Sequence, residues 1–484
     1  MVFRGRTVLT FLLLGMFASS ILTLTIVEPG GGLAERKSTA AAAVKPAPAG
    51  GLSAEDLNKL STTYELIQSK YLDEVDHDKL MNGAIHGMVG ALEDPFTSYM
   101  DSQEAKQFED TINSSFQGIG AEVSLESGRV TIVSPIKGSP AEKSGLRAND
   151  VILTVNGETL DSLTLTQAVM KIRGPKGSQA KLGILRGTAS EAIEVIVVRD
   201  DIPVETVFGE MVTDAIGKIE IRQFSTNTAV RFKEELDHLN GKGMKSLIID
   251  VRNNPGGLLP VVVEIAENFT PKGKTVLQIE DRNGRRAPTL SEAKKAPQQL
   301  PVAVLINKGS ASASEILAGL FKDTGTGKLV GETTFGKGTV QVTFEEEMGD
   351  GSNIKMTTYK WLTPNGTWIH KKGIEPDVAV EQPAFYQVMP FSKKLTLQPD
   401  MNNDDVKSLQ VMLEGLGYDP GRTDGYFGTQ TAEALKAYQK GGNFAQTAEA
   451  DVALQEKLEA DVVARMKDPK NDGQLNEAIK LLSR

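Results

Sequence analysis

Apolar positions along the chain change their period several times, and each change marks a change of element. From Val8 to Val27 there is no period: 20 uncharged residues run together, about 30 Å as a helix at ~1.5 Å per residue, enough to span a bilayer. Arg4 and Arg6 precede the run and Glu28 follows it, which places a short N-terminus in the cytoplasm and the rest of the chain outside. A membrane anchor and a cleaved secretory signal both fit residues 1–28, and "FASS" (Phe17 to Ser20) is a poor cleavage site. In either case the body is exported. Residues 29–52, rich in Gly, Ala and Pro, have no amphipathic period long enough to bury and read as a linker.

Helical periods begin near Ser53. Leu57, Leu60, Tyr64 and Ile67 share one face, then Leu80, Ile85, Met88 and Leu92 another, which predicts a helical region over 53–112 that "EDPFTSYM" (Glu93 to Met100) interrupts with a turn. From Phe116 the pattern shortens to β-branched runs, Val130 to Val133, Val151 to Val155 and Ile193 to Val198, punctuated by Gly and Pro; a small β-rich module follows. Strands then alternate with helices: "IGKIEIRQF", a helix from Thr228 to Leu239, "KSLIIDV", a helix from Leu259 to Phe269, "VAVLIN", and a helix after Gly309. Such alternation predicts an α/β core with a partly parallel sheet. Beyond "SKKLTLQPDMNND" the chain is mainly helical, from Asp404 to Arg484.

Composition narrows the chemistry. At 484 residues the chain holds several domains, and 40% hydrophobic with 24% charged residues is ordinary for globular protein. A net charge of −10 offers no sustained basic field, against nucleic acid as a partner. With no cysteine there is no disulfide, thiolate nucleophile or cysteine-held metal.

The run "PVAVLIN" reads as a buried strand, Lys308 and Gly309 as a turn, and Ile316, Leu317, Leu320 and Phe321 repeat with helical period. Ser310, Ser312 and Ser314 therefore stand at a helix N-terminus, where unpaired N–H groups and the positive dipole end can hold a developing oxyanion. Ser312-Ala-Ser-Glu315 also fits a capping box, which needs no chemistry. None of the four histidines, His77, His86, His238 and His370, is close in sequence, so a base for such a serine need not be histidine. "VGETTFGKGTVQVTF" (Val330 to Phe344) offers a lysine instead. Lys337 lies between two glycines, where the backbone can approach another chain and the side chain can be held from water. Val340, Val342 and Phe344 alternate with Thr339, Gln341 and Thr343; if Lys337 belongs to that strand, it shares a face with Gln341. Gly331 to Lys337 also copies the first seven positions of a phosphate-binding loop. Gly338, however, replaces the Ser or Thr that must reach magnesium, and β-favouring residues follow where a helix should open.

Together these stretches resemble the carboxyl-terminal processing, or tail-specific, peptidases, serine peptidases with a Ser/Lys dyad. "GSASASE" resembles the family's nucleophile motif with Ser312 at the serine, and "GETTFGKGTVQ" its lysine motif with Lys337, 25 positions on, and Gln341. "DVRNNPGG" (Asp250 to Gly257) resembles another signature, and "TPNGTWIHKKGIEPD" (Thr363 to Asp377) the segment that closes the core domain. The resemblance implies Ser312 as nucleophile, Lys337 as base and Gln341 as the group that orients the amine. It further implies an oxyanion hole from the Gly256-Gly257 backbone and the Ala313 N–H, support from Glu315 and Thr334, and no cofactor or metal. Free lysine has a pKa near 10.4, so holding Lys337 neutral at pH 7 costs on the order of 4.6 kcal/mol. Desolvation between glycine-flanked strands, with no carboxylate paired to the amine, is the expected cause.

Residues 113–200 resemble a PDZ domain. "FQGIGAEV" matches its carboxylate-binding loop and following strand, with Phe116, Gln117, Gly118, Ile119, Gly120, Ala121 and Val123 as tail-binding positions, and "SPAEKSGLRANDVILTVNG" matches its core signature. That implies capture of free protein C-termini by backbone N–H groups and strand addition. Arg173, after the helix expected over Leu165 to Ile172, is either a coupler to the core or a solvated loop arginine. The stretch "VKSLQVMLEGLGYDPGRTDGYFGTQTAEALKAYQ" resembles a peptidoglycan-binding module, with Leu409, Leu413, Leu416, Ala434, Leu435 and Tyr438 as core; after Gln439 the chain departs from a single repeat.

The expected whole is a multidomain α/β protein. It comprises a helical N-terminal region (53–112), a β-rich PDZ domain (113–200), an α/β serine-protease core with a partly parallel sheet (201–392), a linker (393–403) and a small, mainly helical C-terminal domain (404–484). Two functions stand open. One is an exported, membrane-anchored, wall-associated endopeptidase that acts on protein tails, contacts peptidoglycan and forms a homodimer. The other is a PDZ scaffold on the cell wall whose protease fold is inactive.

Overall fold

The computed structural model of the chain describes residues 51–483 apart from residues 114, 127, 137, 187–191 and 346. The anchor expected before residue 28, and the linker up to Gly50, lie outside the described residues. Among the described residues no helix is long and apolar enough to cross a membrane. The chain divides into two compact units, one ending at Leu80 and one beginning at Met81.

In the first unit Ser53 starts the helix Ala54–Lys70. Its hydroxyl accepts the Asp56 N–H at 3.1 Å while the Asp56 carboxylate accepts the Ser53 N–H at 3.1 Å, a reciprocal cap. Tyr64 OH and His77 Nδ1, 2.9 Å apart, tie this helix to the start of the next, His77–Gly90. Neither helix buries a side chain, and Leu57, Leu60 and Leu66 stay exposed.

The second unit begins its regular structure, past that helix, with the strand Ser98–Met100 and the helix Ser102–Ile112. In the β-rich module five antiparallel strands run in the order Ala121–Glu126, Arg129–Pro135, Val151–Val155, Gln179–Leu185, Ile193–Val198. They enclose Val130, Ile132, Ile152, Leu182 and Ile184 and leave Ala121–Glu126 at the sheet edge. Ser115–Gly118 pairs with Asp200–Pro203 beside them. Thr164 and Gln167 cap the helix Leu165–Ile172 reciprocally.

The α/β core carries a sheet in the order Val207–Met211, Ile216–Ile221, Ser246–Asp250, Val302–Ile306, Lys328–Gly331, Val378–Ala379. Every pair after the first is parallel. "SLIID" and "VAVLI" are buried at every position because both faces of the sheet are covered. Leu247, Ile249, Val302, Val304 and Ile306 point into the main core with the helices Thr228–Gly241, Leu259–Ala266 and Ala313–Thr324. Ile248, Ala303, Leu305 and Val330 point the other way, onto Leu475 and Ala478 of the helix Gly473–Leu482. The sequence pattern groups that last helix with the C-terminal module, but its apolar stripe has a face of the parallel sheet to cover. The remainder of the module closes its own core around Leu409, Leu413, Phe427, Leu435, Tyr438, Leu454 and Leu458.

A second sheet stands beside the first. Asn353–Leu362 pairs antiparallel with Thr339–Phe344, Ser98–Met100 and Thr275–Glu280, which in turn pairs with Arg286–Leu290. Phe321, fully buried, meets Phe269 edge-on at 5.1 Å between ring centres in the main core. Phe321→Ala is expected to cost about 3–5 kcal/mol, read as an earlier midpoint for the core in urea.

Candidate active site

Three adjacent parallel strands end together, and the loop leaving each carries one of the motifs. Asp250 lies opposite Leu305, and Ile306 opposite Gly331. "DVRNNPGG", "NKGSASASE" and "GETTFGKG" thus meet at the carboxyl ends of the sheet, where open α/β folds place their ligands.

The turn after Val302–Ile306 is held by two of its three serines. Ser310, fully buried, donates its hydroxyl to Val251 O at 2.8 Å and accepts the Asn307 N–H at 3.0 Å. Ser314, also fully buried, donates to Asn254 O at 2.9 Å. Ser312 is half-buried and precedes the helix Ala313–Thr324 with φ 54° and ψ −113°, a conformation that costs a non-glycine residue about 1–3 kcal/mol. A strand-to-helix turn strained in this way exposes a serine hydroxyl above a sheet.

Glu315, with no exposed surface, supplies the acceptors that fix this turn. One carboxylate oxygen accepts the Ser312 N–H at 2.9 Å and the Lys337 N–H at 2.8 Å. The other accepts the Thr334 hydroxyl and the Gly336 N–H, each at 2.6 Å. Thr334 in turn accepts the Ile374 N–H at 2.7 Å. The carboxylate half of the expected capping box is therefore present and also clasps the lysine loop.

The loop from Asn253 to Gly257 lies against the turn. Asn254 O accepts the Ala311 N–H at 3.0 Å, and a Cβ on Gly256 would come within 2.8 Å of Ser312 Cβ and 2.9 Å of Ala313 N. Gly256 and Gly257 have φ of 104° and 145°, open only to glycine. The Gly256 N–H is given to Asn254 Oδ1 at 2.8 Å. Of the expected oxyanion-hole groups, that leaves the N–H groups of Gly257 and Ala313.

Lys337 does not belong to the strand, which starts at Thr339 and carries a bulge between Val340 and Gln341. Its backbone is fixed, N–H to Glu315 and O to Trp361 Nε1 at 2.7 Å, while its ammonium lies 4.8 Å from the centre of the Phe96 ring. Among the described residues no hydrogen bond joins Lys337 Nζ to Ser312 or Gln341. Gln341 Nε2 donates instead to Thr357 Oγ1 at 2.9 Å and Thr339 Oγ1 at 3.1 Å. Burial, then the charge of Lys355, hold the Lys337 ammonium below its ordinary pKa against the pull of Asp94 and Glu315. Both carboxylates act only through their charge: among the described residues no ion pair or hydrogen bond joins either to the Lys337 ammonium. Burial pushes the Asp94 carboxyl up, but hydrogen bonds with Thr357, Thr97 and the Phe96 N–H outweigh it and hold it low.

The sequence missed Asp94 and Phe96, reading "EDPFTSYM" only as a turn. The chain after that turn pairs with Asn353–Leu362, and Thr97 Oγ1 accepts the Thr357 N–H at 3.1 Å. No local pattern names that partner. His370 stands behind the lysine loop, stacked on Trp368 at 5.2 Å with Nδ1 3.4 Å from the Gly338 N. A cavity of about 610 Å³ opens beside the loop, lined by Phe96, Phe335, Trp368 and His370 among others; Ser312 is not among its lining residues.

In the β-rich module Phe116, Gln117 and Gly118 lie on the strand paired with Asp200–Pro203, and Ala121 and Val123 on the edge strand. Between them the Ile119 carbonyl accepts the Ala141 N–H at 2.7 Å and the Gly120 carbonyl accepts the Ser139 hydroxyl at 2.8 Å. Both carbonyls of the loop are therefore spent within the domain. Arg173 covers the Phe116 ring at 4.7 Å, on a cavity of about 680 Å³ that also touches Lys106 and Gln223.

Family models match four segments: residues 27–104 the activating protease CtpB N-terminal domain, 117–197 a PDZ domain, 215–380 peptidase family S41, and 402–458 a putative peptidoglycan binding domain. The chain is 48% identical over 448 residues to the carboxy-terminal processing protease CtpB of Bacillus subtilis (strain 168), spanning 91% of this chain and 92% of that one. It is 40% identical over 427 residues to CtpA of the same organism, spanning 88% and 90%. Among solved structures, the photosystem II D1 C-terminal processing protease aligns at 29% identity and a TM-score of 0.40, over 66% of this chain and 86% of that chain. The chain belongs to peptidase family S41, the carboxy-terminal processing serine peptidases.

Four donors converge on Glu315, so Glu315→Gln would turn an amide NH₂ toward two of them. A loss of at least about 2 kcal/mol is expected in chemical denaturation, larger than for Thr334→Val.

Proposed function

We propose that this chain is an exported endopeptidase that reads free protein C-termini with its PDZ domain and cleaves with Ser312 as nucleophile and Lys337 as general base. The supporting observation is the clasp: one buried carboxylate, Glu315, holds the backbone of both residues at the carboxyl ends of adjacent strands. With both backbones fixed, only the flexible lysine side chain has to move, from the face of Phe96 to the serine hydroxyl. Neutral Lys337 then takes the Ser312 proton as Oγ attacks the scissile carbonyl. The N–H groups of Gly257 and Ala313 receive the oxyanion, and the lysine ammonium protonates the leaving amine. Water, deprotonated by the same lysine, releases the acyl group from Ser312. Gln341, whose Nε2 donates to the Thr339 and Thr357 hydroxyls, orients the amine once it arrives.

The tail carboxylate sits in the Ile119-Gly120 loop and its chain adds to the strand Ala121–Glu126, with Arg173 passing occupancy toward the core. Export follows from residues 8–27, which serve as membrane anchor; the peptidoglycan-binding-like module keeps the enzyme at the wall, and the exposed Leu57, Leu60 and Leu66 join two copies. One observation favours an inactive scaffold instead: the Lys337 ammonium is parked on Phe96.

Four measurements on the exported part, with an unstructured protein as substrate, test this reading. Ser312→Ala is expected to abolish cleavage with the fold retained; unchanged cleavage would remove Ser312 as nucleophile. Lys337→Arg is expected to be as inactive as Lys337→Ala, because guanidinium stays protonated. Wild-type kcat/KM is expected to rise with pH, about tenfold per pH unit, and level off below the ordinary lysine pKa, since burial favours the neutral amine that acts as base. Amidating the substrate's C-terminus is expected to raise KM severalfold, and an equal KM would take tail reading away from the PDZ loop.

A further inference from the structure

Arg252 lies in the "DVRNNPGG" loop, four residues before Gly256, and its guanidinium is clamped between two carboxylates. Nε and Nη2 donate to Asp250 at 2.9 and 2.6 Å; Nη1 and Nη2 donate to Asp472 at 2.9 and 2.8 Å. Gln474 Oε1 accepts from Nη1 at 3.1 Å. All three charged side chains are largely dry, 13% exposed for Arg252, 8% for Asp250 and 12% for Asp472, so water screens this pairing little. Burial disfavours the guanidinium charge, but Asp250 and Asp472 outweigh it.

Asp472 is 220 positions away in sequence and lies past every matched family model. It is itself held firmly. As N-cap of the helix Gly473–Leu482 it accepts the Leu475 N–H at 2.9 Å, and Gln382 Nε2 donates to it at 2.6 Å. That helix lies on Ile248, Leu305 and Val330, residues of the strands whose ends carry the site. Beyond Arg252 the loop is strained, with φ of 54° at Asn253, 104° at Gly256 and 145° at Gly257. It keeps its shape through tethers: the Asn253 N–H donates to Asn307 Oδ1 at 2.9 Å, Asn254 Nδ2 to Ile221 O at 2.7 Å, and the Arg252 fork to Asp472.

We infer that Asp472, through its bidentate clamp on Arg252, is a positioning residue for peptide-bond cleavage, setting the Gly257 N–H against Ala313 from a helix at the far end of the chain. The inference rests on the proposed roles of Ser312, Gly257 and Ala313. An oxyanion donor acts at about 2.7–3.1 Å, so a loop released by a fraction of an ångström loses transition-state binding while substrate affinity is kept. Turnover falls and KM does not.

The test uses the full exported part and a fluorogenic peptide substrate, well below every variant's melting midpoint. Asp472→Asn keeps the size and the helix cap but gives up the charge; its kcat is expected to fall about tenfold or more, with KM within about twofold. Arg252→Lys, which keeps a charge but cannot fork to both carboxylates, is expected to show the same split. Leu475→Ala loosens the docking of the same helix without touching the clamp, and is expected to lower Tm with kcat near wild type. A kcat for Asp472→Asn within about twofold of wild type overturns the inference, as does an equal loss in Leu475→Ala, which would mean general loosening. Ser312→Ala sets the floor: if it is silent and Asp472→Asn is not impaired, the brace alone fails. If Ser312→Ala cleaves normally, the reading of the site falls and takes the brace with it.

Discussion

A carboxylate with no exposed surface and four donors organises this site. Stripped of water, Glu315 would be costly to keep charged, and its hydrogen bonds with Ser312, Thr334, Gly336 and Lys337 replace the solvent. It stands in the first turn of the helix Ala313–Thr324, where the dipole favours a negative charge. Both the strained turn at Ser312 and the glycine loop at Lys337 would be free to relax without it. Its position decides a second matter. Because each oxygen already accepts two hydrogens from backbone or hydroxyl groups, no good lone pair is left for the lysine ammonium. The carboxylate can hold the lysine's backbone without pinning its side chain in the charged form.

Asp94, on the other side, follows the same rule. Its oxygens are occupied by Thr97, Thr357 and the Phe96 N–H, so it too meets Lys337 as a field and not as a partner. Lys355, whose ammonium lies 4.9 Å from the Phe108 ring centre, opposes that field with a like charge. Burial then decides the sign. A lysine in this setting gives up its proton more easily than in water, although two acids are near. The Phe96 ring offers the ammonium an attraction weaker than a salt bridge, about 0.5–2 kcal/mol, which a moving side chain can surrender.

What the sequence made legible was whatever depends on period and short spacing. The buried runs "SLIID" and "VAVLI", the turn at Gly309 and the helix from Ala313 all follow from local pattern, and the family resemblance carried by the three motifs implied that they share one site. Placement of Lys337 on a shared face with Gln341 failed because the strand starts two residues later and bulges at Val340; a bulge of that kind leaves no mark in an alternation of Thr and Val. Phe96 and Asp94 stayed hidden for another reason. They reach the site by pairing across about 260 residues, and strand partners at that separation are chosen by tertiary packing.

The last helix shows the same limit and explains the chain's architecture. A parallel sheet must be covered on both faces, and here the second cover comes from Gly473–Leu482, after the peptidoglycan-binding-like module. The module is therefore inserted between the core's last strand, Val378–Ala379, and its last helix. Gln382 and Asp472, in contact at 2.6 Å, close the base of the insertion. A domain attached by one linker can swing freely, whereas one clasped at both ends moves only with the surface that clasps it. Since the same Asp472 also grips Arg252, any strain on the module is borne at a residue four positions from Gly256, which lies against Ser312.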